Sequence, residues 1–545
     1  MATNNFFTDV KKELIEDPSM ETNVSVTENG GYGYRTTGKS ILDTFYKISS
    51  LRKYDDADLY IIWDTMYKED PDNAILFLFF VGDIRGGLGE RKIFRTMFKE
   101  FCIFSNTKAV QFIRLIPEYS RWDIMWDLIG ISKETDDEIR DIVSKQLADD
   151  LENMEKGKPI SLLGKWLPSY NTSSIETRMK AIKLNMLLHN VNIAKNPSLQ
   201  KLYRQTLSKL RKYLKVVETT ISANEWDQVD YEAVPSKANL LYKDAFCRHD
   251  QERYAKYLED LRNGKVTVNS SVAYPCDIVS KYYEGFSRFG CGGRAMHVIG
   301  EEDTLLEEMW KALPDYNTGD ADDDTVCVLD TSGSMHCMLN NSTSVLMVAL
   351  SIVTYFTDHS KSEFSKNVIT YSADPYLVDL RGCNSLKDKL NKLTTDEINA
   401  ANTDIVKVFE LILNTAITNG YSQEDMPSRI LVVSDMEFDC AFKFGDTIQF
   451  DKNAESDKRV FTAIKDKYED HGYKIPKLVF WNTCSRTNTI PVVENELGIT
   501  LISGFSVNTM KMVLSDKLDP MEALLDMLYS DRYQPVLQII ESLKK

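Results

Sequence analysis

From Ser40 to about Glu301 the apolar residues recur at three- and four-residue spacing, as in ILDTFYKISSL, RKIFRTMFKEFCIF and LEDLRNG, with few alternating β-branched runs. Such spacing lines apolar side chains along one face of a helix, so this half of the chain is predicted to be mostly α-helical. No repeat of fixed length is present, and irregular, HEAT-like helix pairs are the expectation rather than a regular solenoid. Residues 1–28 are polar and weakly patterned and read as an N-terminal arm, after which ENGGYGYRTTG supplies glycine turns.

The period changes after LPDYNTGDADDD, residues Leu313 to Asp324, whose Pro, Gly and Asp content marks a linker. Short β-rich runs follow: TVCVLD, NVITYS, RILVVSD, KLVFWN and GITLISG. They alternate with helix-period stretches at Thr343 to Asp358, Asp404 to Asn419 and Glu455 to Asp470. Buried strands alternating with helices imply an α/β doubly wound, Rossmann-like domain with a parallel sheet. The expected organisation is an arm (1–28), a helical repeat domain (29–312), a linker (313–324), an α/β domain (325–515) and a helical C-terminal extension (516–545).

Composition narrows the class. The chain has 545 residues, 43% of them hydrophobic, which is enough for several buried cores. The longest apolar run, AILFLFFV from Ala74 to Val81, is too short to cross a bilayer, and the N-terminus lacks a basic-then-apolar signal pattern. Nine scattered cysteines without a Cys-x-x-Cys pair signal neither a disulfide framework nor a thiolate zinc site. A reduced, cytoplasmic chain is expected, in the host cytoplasm if the source is viral or phage. The net charge of −17 opposes general nucleic-acid binding, but its distribution is uneven. Between Ser161 and Val217 eleven basic residues stand against one acid, Glu176: Lys165, Arg178, Lys180, Lys183, Lys195, Lys201, Arg204, Lys209, Arg211, Lys212 and Lys215.

In an open α/β sheet, ligands bind beyond the carboxyl ends of the strands. There the sequence collects oxygen donors: Asp330, Ser332 and Ser334 after the first strand, Thr403 before the second long helix, and Asp435 after RILVVSD. Two carboxylates and three hydroxyls suit a hard divalent ion such as Mg²⁺, which keeps waters and leaves a position open. Helix capping by Asp330, Ser332 and Thr403 explains each loop singly but not their shared edge. A serine nucleophile is disfavoured, because Gly-x-Ser-x-Gly is absent around Ser332 and the late His471 falls in a helical stretch. An aspartic protease requires Asp-Thr-Gly where this chain has Asp-Thr-Ser.

The Asp-x-Ser-x-Ser, Thr and Asp arrangement resembles the metal-ion-dependent adhesion site of von Willebrand factor A domains. The resemblance implies that Asp330, Ser332, Ser334, Thr403 and Asp435 ligate the ion directly or through water, and that a partner's carboxylate takes the open position. A second resemblance spans about Glu28 to Phe505 and rests on GGLGERKIFR, SRWDIMWDLIG, KWLPS, YEAVPSKANLLYKDAFCRHDQERYAKYLEDLRNGK, VVSDMEFD, LVFWN and LISGFS. These motifs are similar to those of uncharacterised plant, viral and phage proteins that carry a domain of unknown function. The general plan, helical repeats then an A domain, is similar to that of the Ro autoantigen with its TROVE domain. Ro proteins bind small structured RNAs and the ends of misfolded RNAs. The resemblance implies an RNA-binding adaptor, with RNA on Lys165, Arg178, Lys180, Lys183, Lys201, Arg204, Lys209, Arg211, Lys212 and Lys215.

Other motifs compete. GYRTTGKS, Gly33 to Ser40, satisfies the Walker A string, but it follows a polar, glycine-rich stretch and not a buried strand, so a turn and helix start is the default reading. Trp166, Tyr170, Tyr203 and Tyr213 could stack on bases beside the cations, against the alternative of a solvated helix face. GDIRGGLGER reads as a turn between helices, and FCRHD, with Cys247, His249 and Asp250, lacks a second ligand cluster. The expected function is therefore non-catalytic binding by a monomer, using RNA and a protein carboxylate as ligands and no membrane. The alternative is a protein-interaction scaffold for viral assembly or host interaction, without RNA binding.

Overall fold

The computed structural model describes residues 23–27, 32–190, 196–270, 272–288, 294–298, 301–315, 324–340, 342–371, 375–394, 405–437, 464–490, 499–513 and 519–545. Two compact units are present. One, the α/β unit, comprises Met1–Leu51, Tyr274–Trp310 and Asp315–Leu525; the other, the helical unit, comprises Arg52–Ala273, Lys311–Pro314 and Asp526–Lys545. The sequence pattern places its divisions in chain order, whereas each unit is assembled from three separate stretches.

Among the described residues, ten strands lie in the α/β unit: β1 (Val24–Val26), β2 (Tyr32–Tyr34), β3 (Tyr283–Arg288), β4 (Arg294–Val298), β5 (Thr325–Asp330), β6 (Asn367–Tyr371), β7 (Tyr376–Asp379), β8 (Arg429–Ser434), β9 (Lys477–Asn482) and β10 (Ile499–Ser503). Six form one sheet in the order β10-β9-β8-β5-β6-β7, all parallel except β7 at the edge. Every residue of β5 and β8 is buried, which is why their sequences are unbroken apolar runs with no alternation. One face packs Val326, Val328, Ile430, Val432, Leu478 and Phe480 with Phe409 and Leu413 of the helix Ile405–Asn419. The almost wholly buried helix Val345–His359 lies against β5 and β8. Its N-terminus is capped by Ser344, which accepts from Met347 N. The helix Ile405–Asn419 stops where Gly420 takes a φ of +68°.

Two hairpins depart from the sequence expectation of arm and helix. β1 and β2 pair antiparallel, and Tyr34 forms a further bridge with Ile490. β3 and β4 pair antiparallel with a bulge between Glu284 and Ser287, inside the stretch expected to be helical. Short strands punctuated by glycine give no periodicity long enough to separate them from turns. The Walker-like GYRTTGKS thus begins inside β2 of an antiparallel hairpin, with Gly33 and Tyr34 in the strand, and ends on Ser40, the first residue of a seven-residue helix, Ser40–Tyr46. Thr37, within it, gives both its N–H and its hydroxyl to Asp43 Oδ1 at 2.6 Å.

The helical unit has as its centre the helix Pro71–Gly82, buried at every position from Ala74 onward. It packs on the helices Asp56–Glu69 and Arg91–Phe104 through an aromatic cluster that includes Phe79, Phe94, Phe98, Phe101 and Phe112. GDIRGGLGER is indeed a turn between helices: a Cβ on Gly87 would stand 2.1 Å from the carbonyl oxygen of Phe80, so the backbone approach excludes any side chain. Among the described residues no helix is long and apolar enough to cross a membrane.

Candidate metal centre

The parallel register decides which residues meet at the carboxyl edge of the sheet. Leu329 pairs with Val433 and Val433 with Trp481, so the next residues, Asp330, Ser434 and Asn482, form a row across three strands. Asp330 is 1% exposed, and both carboxylate oxygens are hydrogen-bonded. Its Oδ1 accepts from Ser332 N at 2.9 Å and its Oδ2 accepts from Ser434 Oγ at 2.5 Å. Ser434 Oγ in turn accepts from Met436 N at 3.0 Å. Met436 has a φ of +61°, a left-handed conformation that costs a non-glycine residue on the order of 1 kcal/mol. Asp435 and Glu437, on either side of Met436, are both buried.

The two serines behave as a pair. Ser332 sits at the N-cap of the 3₁₀ turn Gly333–His336, yet its side chain makes no capping bond. Its Oγ lies instead 2.8 Å from Ser334 Oγ. Neighbouring oxygens of an octahedral Mg²⁺ shell, at about 2.0–2.1 Å from the ion, stand about 2.8–3.0 Å apart. The serine separation fits such an edge.

Asp435 carries the feature that asks for a ligand. It is 1% exposed; Oδ1 accepts a long bond from Glu437 N at 3.3 Å, and Oδ2 is buried with no hydrogen-bond partner. Burial, with the Asp330 carboxylate close by, pushes its pKa up to about 7, against the usual carboxylate range. Arg486 Nη2 stands 3.6 Å from Oδ2, within ion-pair range but too far for a hydrogen bond. An oxygen-only donor set with an orphaned buried carboxylate oxygen fits a hard divalent cation.

Of the residues named from the sequence, Asp330, Ser332, Ser334 and Asp435 come together, whereas Thr403 lies outside the described residues. Ser434, Glu437 and Arg486 were not foreseen. Glu437 anchors the loop after β9, accepting from Ser485 Oγ, from Arg486 N at 2.6 Å, and from the backbone and hydroxyl of Thr487. The rule that found Asp330 and Asp435, inspection of strand ends, applied to KLVFWN would have pointed to TCSRT. Among the described residues no group of three His, Cys, Asp or Glu side chains could hold a metal, FCRHD included. Its Asp250 accepts from Tyr231 and Arg253, and its His249 stacks on Trp226.

The basic residues of the helical unit are not brought to one point. Arg211 gives bonds to Gly164 O, Ser169 Oγ and Leu167 O; Lys180 pairs with Asp127 and Glu176, Lys165 with Glu218, and Lys215 with Asp230. Arg178 and Lys183 are exposed on the helix Ile175–His189, and Lys201, Arg204, Lys209 and Lys212 on the helix Pro197–Tyr213. Lys195 lies outside the described residues. Three of the four aromatics are tied to the framework by hydroxyl bonds: Tyr203 to Pro168 O, Tyr213 to Lys158 O, and Tyr170 accepting from Asn185. The fourth, Trp166, lies under the Arg121 guanidinium at 3.8 Å.

Comparison with known proteins gives no assigned activity. Residues 136–315 match a family model described as a domain of unknown function (DUF2828), and residues 324–532 match a second (DUF7788). The chain is 27% identical over 552 residues to an uncharacterised protein, L728, of Acanthamoeba polyphaga mimivirus, covering 94% of this chain and 89% of the viral one. Among solved structures it is similar to the Ro (Rsr) protein of Deinococcus radiodurans, with a TM-score of 0.37 and 13% identity, covering 90% of this chain and 99% of that one.

Proposed function

We propose that the protein is a non-catalytic binding protein whose α/β unit, read as a von Willebrand factor A domain, holds Mg²⁺ or another divalent cation and through it an acidic group of a partner. Asp330, Ser332, Ser334 and Asp435 would hold the ion, with Thr403 as the fifth donor expected from the sequence. The ion would supply a Lewis-acidic position for an oxygen anion. The observation that carries the reading is Asp435 Oδ2, buried beside a second buried carboxylate and without a hydrogen bond of its own, with Ser334 next to the carboxylate and Arg486 held back at 3.6 Å. Such an atom is costly unless a proton or a directly bound cation completes it, and the Arg486 guanidinium stands too far off to hydrogen-bond. The test is thermal unfolding with Mg²⁺ and with EDTA. Wild type should be stabilised by the ion and Asp330→Ala should not; equal stabilisation of both would end this assignment.

A second ligand, structured or misfolded RNA, is proposed for the helical unit, read as irregular HEAT-like repeats. It is favoured by the placement of Lys201, Lys209 and Lys212 on the exposed side of the helix Pro197–Tyr213, opposite buried Tyr203, Leu207 and Leu210. Purified protein should then carry nucleic acid and release it as salt is raised. Protein that ignores RNA at low salt would leave the scaffold role, with a protein partner alone.

A further inference from the structure

The cation already present in the site is Arg486, and neither the oxygen-donor motif nor the proposed function assigns it a role. Its position is not that of a loose surface side chain. Glu437, two residues after Asp435 and 2% exposed, fixes the loop Ser485–Thr487 by bonds from two backbone amides and two hydroxyls. Beyond that anchor, Arg486 Nη1 lies 3.4 Å from Cys337 Sγ and Nη2 lies 3.6 Å from Asp435 Oδ2. Cys337 closes the 3₁₀ turn that carries Ser334, so the guanidinium spans from the loop after β5 to the carboxylate of Asp435. Its side chain remains 25% exposed, so a ligand can reach it from solvent.

Electrostatics then set what can complete the site. A divalent ion on Asp330 and Asp435 is repelled by the neighbouring guanidinium, and a neutral oxygen donor does nothing to relieve that repulsion. A carboxylate does, since its two oxygens can meet two cations at once, and the planar guanidinium matches carboxylate geometry as an ammonium does not. We propose that Arg486 is the specificity-determining residue of the site: it takes the second oxygen of a carboxylate whose first oxygen completes the ion's coordination. The occupant is thereby an acidic side chain or chain terminus, and ion and acid bind with positive coupling. This inference rests on the metal-dependent reading above.

The full-length protein and two isosteric probes, acetate and acetamide, test it. Mn²⁺ binding is followed by the loss of its free-ion resonance signal at matched ionic strength. In wild type, acetate should tighten Mn²⁺ binding about fivefold, the low end for coupled sites, and acetamide should not. Arg486→Gln should bind Mn²⁺ alone at least as tightly as wild type and lose the acetate effect, while Arg486→Lys retains part of it. An equal acetate effect in Arg486→Gln, or equal effects of acetate and acetamide in wild type, overturns the proposal with the metal site intact. Wild type that binds no Mn²⁺, or binding unchanged in Asp330→Ala, overturns the metal-dependent reading itself. Unchanged thermal midpoints of the metal-free variants establish that the differences arise at the site.

Discussion

Two buried carboxylates, each facing an arginine, divide the molecule by purpose. In the helical unit Asp83 is fully buried, and both of its oxygens are satisfied. Oδ1 accepts from Arg85 N and Arg532 Nη2, each at 3.0 Å, and Oδ2 accepts from Arg532 Nε at 2.9 Å and Tyr533 Oη at 3.1 Å. In the α/β unit Asp435 is as deeply buried, but its arginine stands back at 3.6 Å and Oδ2 has no hydrogen bond. The first constellation is complete as architecture; the incompleteness of the second, at the same depth, is what the proposed metal site rests on. Asp83 pins the segment Asp526–Lys545 into the helical unit, where Tyr533 also stacks on Tyr119 with ring centroids 5.6 Å apart.

The comparison breaks most sharply at Asp83. Asp83→Ala would remove the acceptor of Arg532 and Tyr533 from the buried side, and although Arg532, 31% exposed, keeps Glu118, the lost charge-assisted bonds and the orphaned Tyr533 hydroxyl cost about 2–3 kcal/mol. Chemical denaturation followed by far-ultraviolet circular dichroism should show that loss, in Mg²⁺ and in EDTA alike. The corresponding Asp435→Asn should do the reverse: little or no loss in EDTA, and loss of the Mg²⁺ stabilisation. At an ion concentration a hundredfold above its dissociation constant that stabilisation is about 2.7 kcal/mol. If Asp435→Asn destabilises the metal-free protein as severely as Asp83→Ala does, the distinction between the two carboxylates fails.

A further effect separates them by pH. A carboxyl raised in the fold is stable there as the acid, so its contribution is full below the unfolded value near 4 and is lost as pH rises through about 7. Metal-free wild type should therefore lose stability relative to Asp435→Asn between about pH 4 and 7, by about 1.4 kcal/mol for each pKa unit of the rise that the fold imposes. Mg²⁺ competes with the same proton, so its stabilising effect should be largest above pH 7 and shrink toward pH 5. Parallel thermal midpoints of the two proteins across that range would contradict the burial argument.

What the sequence could and could not disclose follows the range of the interactions. Five of the six sheet strands were legible because buried parallel strands are unbroken apolar runs, and Asp330 and Asp435 were legible because each directly ends such a run. β7 was missed: it is a short edge strand with Leu377 57% exposed, so its pattern is neither alternating nor fully apolar. Ser434 was hidden as the last residue of its strand, and its role depends on the register that sets it beside Asp330. Arg486 was hidden in a polar loop whose position is fixed by Glu437, about fifty residues away in sequence. The segment 526–545 was expected to extend the α/β domain, because no periodicity announces that Arg532 and Tyr533 complete Asp83. Local pattern reports which face is buried; it does not report the partner.

The weakest predicted effects lie in the basic helices, where the same test of completeness applies to cations. Arg211 is engaged on all sides by Gly164 O, Ser169 Oγ and Leu167 O, and by that criterion it is structural. Arg211→Gln should cost stability, about 1–3 kcal/mol for the unsatisfied buried carbonyls it leaves, with no specific change in the salt dependence of RNA binding. Lys201, Lys209 and Lys212 are exposed on one side of their helix. Replacing any one with Gln should leave the thermal midpoint unchanged and weaken RNA binding uniformly across sequences, with the slope of log affinity against log salt falling by about 1 for each phosphate no longer neutralised. A triple Lys→Gln variant with the wild-type slope would show that these lysines form only a solvated face, and the RNA reading would lose the residues on which it rests.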